Sequence, residues 1–274
     1  MKTSKLSGIF IQIVCIFLCL IILFPILYAL SISLMRPEDV LTLPPNLLPP
    51  SVTFGSYIQL ITKTIFGRYM LNSFLMSLVC STVRVLLAGM AAFAFSFYEF
   101  KGKKILFALT MATMMIPPDV LIVSNYTTIS KAGLINTYLG MCSIFLVSAS
   151  NIFLFRQQFK VFTSSLREAA YIDGCGNFKF LIHILAPISR PIIITVFVSS
   201  FIDIWNQYLW PLLVTNQDEM RTIQVGITML KDRDSTDFGP VMASTIVALL
   251  PIILLFLIFQ PKIISGMMSG AVKE

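Results

Sequence analysis

From Ile9 to Ile32 the sequence runs twenty-four residues without a single Asp, Glu, Lys or Arg. Coiled as an α-helix, such a run is about 36 Å long at about 1.5 Å per residue, enough to cross a hydrocarbon core of about 30 Å. It is not alone. Taking the first span as roughly 9–33, further apolar stretches occupy roughly 70–97, 104–127, 137–157, 187–213 and 240–260. Lipid offers no hydrogen-bond partners to backbone, so segments of this length cross it as helices. The expected fold class is all-α: a polytopic membrane protein with six transmembrane helices in a single domain covering 1–274. Pro25 predicts a kink in the first span, Pro117-Pro118 an interruption of the third, and Pro251 one of the sixth.

Composition agrees. Hydrophobic residues make up 57% and charged residues 12%, where a soluble domain carries about 25% charged. Mean hydropathy is +0.87. A net charge of +7 would suggest nucleic acid in a soluble chain. Here no aromatic–basic cluster accompanies it, and basic loops account for it. Lys2 and Lys5 precede the first span as in a secretory signal, but the apolar run is too long and lacks a small-residue cleavage site, so a retained span is expected. Cys15, Cys19, Cys80 and Cys142 lie in apolar spans and Cys175 in a loop, so free thiols are expected.

Loop charge gives orientation. One side holds Lys2, Lys5, the Lys101–Lys104 loop, the 156–190 loop and the C-terminus, with twelve basic residues; the other holds seven, and Arg84 sits within a span. The richer side is expected inside, with both termini cytoplasmic. The outer loop 34–68 carries Pro37, Pro44, Pro45, Pro49 and Pro50 and is expected to be extended. The outer loop 214–239 is net acidic. Both read as solvated connectors or as faces for an extracellular partner.

The loop between spans four and five contains a polar segment, Leu166-Arg167-Glu168-Ala169-Ala170-Tyr171-Ile172-Asp173-Gly174. Ser165 is a fitting N-cap, with Glu168 at capping-box spacing in the first turn of a helix. Gly174 is a fitting stop, because it adopts positive φ without a Cβ clash. A short helix of about two turns outside the lipid follows. Taken alone it reads as an amphipathic loop on the membrane surface or as a peg for another protein.

Glu168-Ala169-Ala170, then Asp173-Gly174, Ile184, Pro187 and Pro191 resemble the EAA signature of ABC-importer permeases, with the proline spacing of the carbohydrate-uptake branch. Cys175, Leu181 and Ala186 depart from the usual Ala, Phe and Leu. Asn72-Ser73, Pro117-Pro118, Gly133–Thr137 and Phe155–Phe159 are similar to the same family, in the same order. The resemblance implies the type I permease fold of ABC importers. It makes the segment at about 164–176 a coupling helix, with Glu168, Ala169, Ala170, Asp173 and Gly174 engaging an ATPase. It also implies partners: a second, similar permease, two cytoplasmic ATPases that carry ATP and Mg, and an extracytoplasmic solute-binding protein. The implied setting is a bacterial cell membrane. The tail at 262–274 is similar to one that reaches into the ATPase dimer in maltose-type permeases; a frayed terminus is the plainer reading.

Within the fifth span, Asp203-Ile204-Trp205-Asn206-Gln207-Tyr208-Leu209-Trp210 is dense in polar groups for a segment in lipid. Such groups are costly there unless they face protein or water. Aromatic faces and amide edges suit a hydroxyl-rich solute, so Trp205, Asn206, Gln207 and Tyr208 are candidate path residues; an interfacial aromatic belt is the alternative. The stretch is similar to one in maltose- and glycerol-phosphate-type permeases. Arg84, near the middle of the second span, requires a partner: Asp119, Asp203, a partner subunit, or an anionic solute. His183, the sole histidine, has no metal-ligand spacing around it, and neither a Walker A loop nor a catalytic constellation is present. No catalytic residue, metal site or cofactor is expected in this chain. The expected function is a permease subunit of an ABC importer for a carbohydrate-like solute, an oligosaccharide or sn-glycerol-3-phosphate; a secondary transporter or channel without an ATPase is the alternative.

Overall fold

The structure is a computed structural model that describes residues 5–162, 164–233 and 237–269. Its helices are α1 (Lys5–Ser33), α2 (Pro37–Val40), α3 (Gly55–Lys63), α4 (Phe66–Phe97), α5 (Lys103–Ala112), α6 (Ile122–Lys131), α7 (Tyr138–Cys142), α8 (Ala149–Phe159), α9 (Ser164–Ile172), α10 (Asn177–Phe180), α11 (Ala186–Ile188), α12 (Arg190–Trp205), α13 (Leu209–Val214), α14 (Ile223–Arg233) and α15 (Phe238–Ser269). No strand occurs among the described residues, so the all-α expectation holds. Three helices are long and apolar enough to cross a membrane alone, and three bent pairs raise the total to six spans.

Three spans are bent: the third where an interruption was expected, the fourth and fifth where none was. The third breaks by 90° between Lys103–Met115 and Pro118–Lys131, where Pro117 is extended and Pro118 opens a 3-10 turn. The fourth, expected to be continuous, bends by 48°; Ser148 turns extended and its hydroxyl accepts from the Asn151 amide at 3.4 Å, so a fresh helix starts there. The fifth is displaced. It folds as α12, stops at Asn206, and resumes as α13. At its other end Ser189 marks an 81° bend, which sets α12 off from Asn177–Ile188. Before Pro187 the chain widens into a π-turn over Leu181–Leu185. Pro25 and Pro251 do not end their helices; α1 and α15 run through them. The two loops expected on the outer side are also more helical than expected. α2 and α3 lie within 34–68 and α14 within 214–239, so the prolines from Pro44 to Pro50 keep the stretch between α2 and α3 irregular.

The chain divides into two compact units. The first comprises residues up to Arg68 and Val225–Pro251. Here the strap after α1 is tied back by the Thr53 amide on the Leu34 carbonyl (2.9 Å), the Ser31 hydroxyl on the Leu47 carbonyl (2.7 Å) and a Ser33–Tyr57 hydroxyl contact of 2.8 Å. Met35 and Leu60 fill its centre. None of the most apolar window of Ile9–Ser33 is buried.

The second unit comprises Tyr69–Gln224 and the chain from Ile252. It has two buried clusters. One joins Ala88, Ala92 and Phe93 of α4 to Ile152, Phe155 and Phe159 of α8, with Ala170, Cys175, Phe180, Leu185 and Val196. The other joins Met76 and Cys80 of α4 to Met141, Cys142, Phe145, Ile204, Trp210 and Val214. All five cysteines are free thiols. Packing around α7 is close. A Cβ added at Gly140 would stand 2.1 Å from the Leu134 carbonyl oxygen, and backbone cannot swing aside as a side-chain tip can. Gly140→Ala is therefore expected to destabilise the protein by about 2 kcal/mol or more, read as thermal unfolding in detergent. Gly67→Ala, which meets nothing within 4 Å, is expected to stay within about 0.5 kcal/mol.

Candidate functional site

Two sites take shape in the second unit, one at each of the places the sequence singled out. The first is α9. It begins at Ser164, two residues earlier than the capping-box reading requires, so Glu168 falls beyond the first turn and its carboxylate is not seated on the helix dipole. The Ser165 side chain lies outside the described residues. The stop is as sharp as expected. Gly174 has φ of +74°, its amide donates to the Tyr171 carbonyl (3.0 Å), and the Cys175 amide donates to the Ala170 carbonyl (2.8 Å). Those two bonds form a Schellman motif, which satisfies carbonyls that the helix end would leave bare.

The helix has two faces. Ala170 and Cys175 are buried in the cluster with Phe159 and Phe180, and Leu166 packs against it. Glu168, Ala169, Asp173 and Gly174 are exposed. Beside them three apolar side chains face outward: Ile172 at 86% exposure, Val161 at 72% and Phe178 at 71%. Exposed apolar side chains in a polar segment outside the apolar spans are suited to contact with another protein.

Arg167 fastens the helix, a role that no local pattern announces. Its guanidinium donates to the Phe97 carbonyl at the end of α4, to the Tyr171 hydroxyl (3.2 Å) and to Asn177 Oδ1 (3.1 Å). It also lies over the rings of Phe97, Tyr98 and Tyr171 at 5.8, 5.5 and 5.2 Å. Tyr171 in turn donates to Asn177. The peg is thus bonded to the end of a long span. The tail at 262–274 continues α15 as far as Ser269; its side chains and its last five residues lie outside those described.

The second site is a cavity of about 800 Å³ within the unit. Of the predicted path residues, it brings together Arg84 and Gln207, along with Trp210. Trp205, Asn206 and Tyr208 lie outside its lining. Trp205 is buried and stacked on Phe201 at 5.8 Å. Trp210 is buried too, its indole donating to the Gly140 carbonyl at 3.2 Å, which sets aside an interfacial belt for it. The cavity adds Asp119, considered above only as a partner for Arg84, and Asn125, Asn151 and Ser200, which the sequence reading passed over. Asn125 and Asn151 were visible as amides inside apolar spans; Asn151 donates to the Ser200 hydroxyl at 2.8 Å.

Arg84 is buried, and two of its nitrogens are bonded. Its Nε donates to the Phe145 carbonyl at 2.7 Å and its Nη1 to Asp203 Oδ2 at 3.0 Å. Of the partners considered, the structure supplies Asp203. At the other end of α4, Asn72 donates to the Glu219 and Arg221 carbonyls (2.8 and 2.9 Å) and accepts from Tyr138, and Ser73 accepts the Ile223 amide at 2.8 Å. His183 lies in the π-turn near the Lys179 carbonyl, and no cluster of metal-ligating side chains occurs among the described residues.

This arrangement of bent spans, peg and polar cavity defines a membrane transport subunit. Residues 84–268 match the family model described as "Binding-protein-dependent transport system inner membrane component", and the chain belongs to that family. It is 34% identical over 275 residues to the sn-glycerol-3-phosphate transport system permease protein UgpE of Brucella abortus, covering 97% of this chain and 96% of that one. It is 31% identical to the arabinooligosaccharides transport system permease protein AraQ of Bacillus subtilis, over 93% and 92%. In fold it is similar to a solved bacterial ABC transporter involved in the import of the acidic polysaccharide alginate, with TM-score 0.82, 20% identity, and coverage of 95% and 98%. The chain is an ABC-importer permease by family, with multiple apolar helices in the membrane, and its relatives are permeases, not enzymes.

The Arg84–Asp203 pair is testable by itself. The Asp203 side chain is 54% exposed and that of Arg84 10%, so water screens one partner only. Asp203→Ala is expected to cost about 1–2 kcal/mol, below the full cost of orphaning a buried charge. Adding Arg84→Met should recover part of the loss, measured as a double-mutant cycle on unfolding in detergent. Strictly additive losses would mean that the two groups are not coupled.

Proposed function

We propose that this chain is one of two membrane subunits of an importer for a neutral, carbohydrate-like solute, driven by two cytoplasmic ATPases. In this reading ATP and Mg are held by the ATPases, a binding protein delivers solute from outside, and both termini lie in the cytoplasm of a bacterial cell. The whole chain acts as one permease domain. The outward face of α9, with Glu168, Ala169 and Asp173 beside Ile172 and Phe178, docks on an ATPase. Ala170 roots the peg in the core and Gly174 ends it. When the ATPases close on nucleotide, the peg moves as a unit with the end of α4, and the spans rock between two access states.

The charge of the cavity supports a neutral cargo. Among the described residues its only cationic lining residue, Arg84, is already bonded to Asp203, and Asp119 adds a second carboxylate. A phosphate monoester entering there meets no free cation from this chain and at least one carboxylate. Hydroxyl groups find amides and hydroxyls at Asn125, Asn151, Ser200 and Gln207. The relatives favour a second reading, sn-glycerol-3-phosphate, which would rely on cations supplied by the other permease chain.

The complete assembly in vesicles decides both points. Glu168→Lys and Gly174→Asp, the latter forced into a left-handed conformation that costs about 1–2 kcal/mol, are expected to insert normally. Each should lower uptake by about tenfold or more while ATP hydrolysis continues; intact uptake in both variants would reject the role of the peg. Neutral oligosaccharide uptake that sn-glycerol-3-phosphate does not compete with is the expected specificity. Uptake of the phosphate ester alone would overturn the neutral-cargo reading without touching the peg.

A further inference from the structure

At the end of α4 from which the peg hangs there is a second cavity, of about 760 Å³, bounded by the turn into α5 and the last turns of α8. Neither the peg nor the solute path uses it. Four cations line it, Lys103, Lys104, Arg156 and Lys160, against one carboxylate, Glu99. Glu99 accepts from Lys103 Nζ at 2.8 Å, and that bonded ammonium holds its carboxyl below the usual range. Its charge is therefore spent on its neighbour. Lys104, Arg156 and Lys160 form no ion pair among the described residues.

Arg156 is the most telling of the three. Its guanidinium stands over the Phe107 ring, 3.9 Å from the centroid, which fixes its position. Its Nε is buried and has no hydrogen-bond partner among the protein atoms. Buried donors are rarely left unmet, because desolvation without a partner is costly. A guanidinium held over a ring and flanked by two ammonium groups that form no ion pair among the described residues is suited to a phosphate.

The apolar side of the pocket separates two sources of phosphate. Ile105 lines it, and Leu109, four residues along the same face of α5, is exposed beyond it. Phe100 is exposed at the rim. A soluble anion has no use for that stripe, whereas an acyl chain does. The pocket also lies at the end of a long apolar span, where headgroups gather and basic clusters attract anionic lipid. We propose that it binds an anionic phospholipid, with the phosphate held by Arg156, Lys104 and Lys160 and an acyl chain running along Ile105 and Leu109. Lipid seated there touches the same stretch of chain, Phe95–Lys104, that carries the anchor of the peg at Phe97, so it braces the coupling end of the bundle.

The test uses the complete assembly and native mass spectrometry in the presence of phosphatidylglycerol, phosphatidylcholine or inorganic phosphate. The wild type is expected to retain phosphatidylglycerol in preference to phosphatidylcholine. Lys104→Ala with Lys160→Ala, both at exposed positions, should lower that retention on the order of tenfold. Arg156→Gln should do the same, which keeps the proposal testable if the double variant does not fold. Equal retention of the two lipids by the wild type, or an undiminished preference in folded variants, would overturn the proposal. Displacement of the lipid by equimolar inorganic phosphate would overturn it as well, by making the pocket a site for a soluble anion.

Discussion

Broken helices inside a membrane leave backbone groups without partners, and this fold depends on where those partners come from. The fourth span is the clearest case. Its bend puts carbonyls of Gly140, Cys142 and Phe145 within reach of other spans. The Trp210 indole, the Cys80 thiol and the Arg84 guanidinium take them up, at 3.2, 3.8 and 2.7 Å. Water is not available to do so in hydrocarbon. The side chains that satisfy the break also fix the spans to one another, because each donor sits on a different helix from its acceptor. Arg84 goes furthest, since its other nitrogen reaches Asp203 on α12. One guanidinium thus joins α4, the bend before α8, and α12, and the polar cavity opens around that junction.

Rigidity is distributed to match. At one end of the second unit, Asn72 and Ser73 hold the 219–223 segment through backbone bonds. At the other, Arg167 holds α9 to the last turn of α4. For the force-carrying role proposed for it, the peg needs a firm root more than it needs length. Nine residues suffice here because the helix is closed by two bonds at Gly174 and rooted by Ala170, Cys175 and Leu166 in a core of phenylalanines. Its other face, with Glu168, Ala169 and Asp173, is exposed.

The sequence made the number of spans legible because hydropathy acts over whole segments. The stop at Gly174 was legible because positive φ has a residue signature. The break at Pro117-Pro118 follows from a missing donor and was readable for the same reason. The bend at Ser148 was not foreseen: its cap, Ser148 with Asn151, is a local signal lost inside an apolar run. Pro251 misled in the opposite direction, since a long helix in lipid tolerates a proline when its neighbours are apolar and regular. The Trp205–Trp210 stretch showed that something polar happened there, yet not which side chains face the cavity. A three-residue break between α12 and α13 rotates them apart, and no period predicts the rotation. Arg167 was invisible as an anchor because its acceptor lies seventy residues away.

The bare flanks of α1 have a consequence for how such a chain is made. Its backbone bonds are internal, the mean hydropathy of its most apolar stretch is 3.1, and none of that stretch is covered by the protein. Nothing that is synthesised later is required to make it stable in the bilayer. The insertion machinery can therefore release it sideways into lipid early in translation and hold the nascent chain by it, while the bent spans, which satisfy one another's backbone, wait to be completed and assemble together.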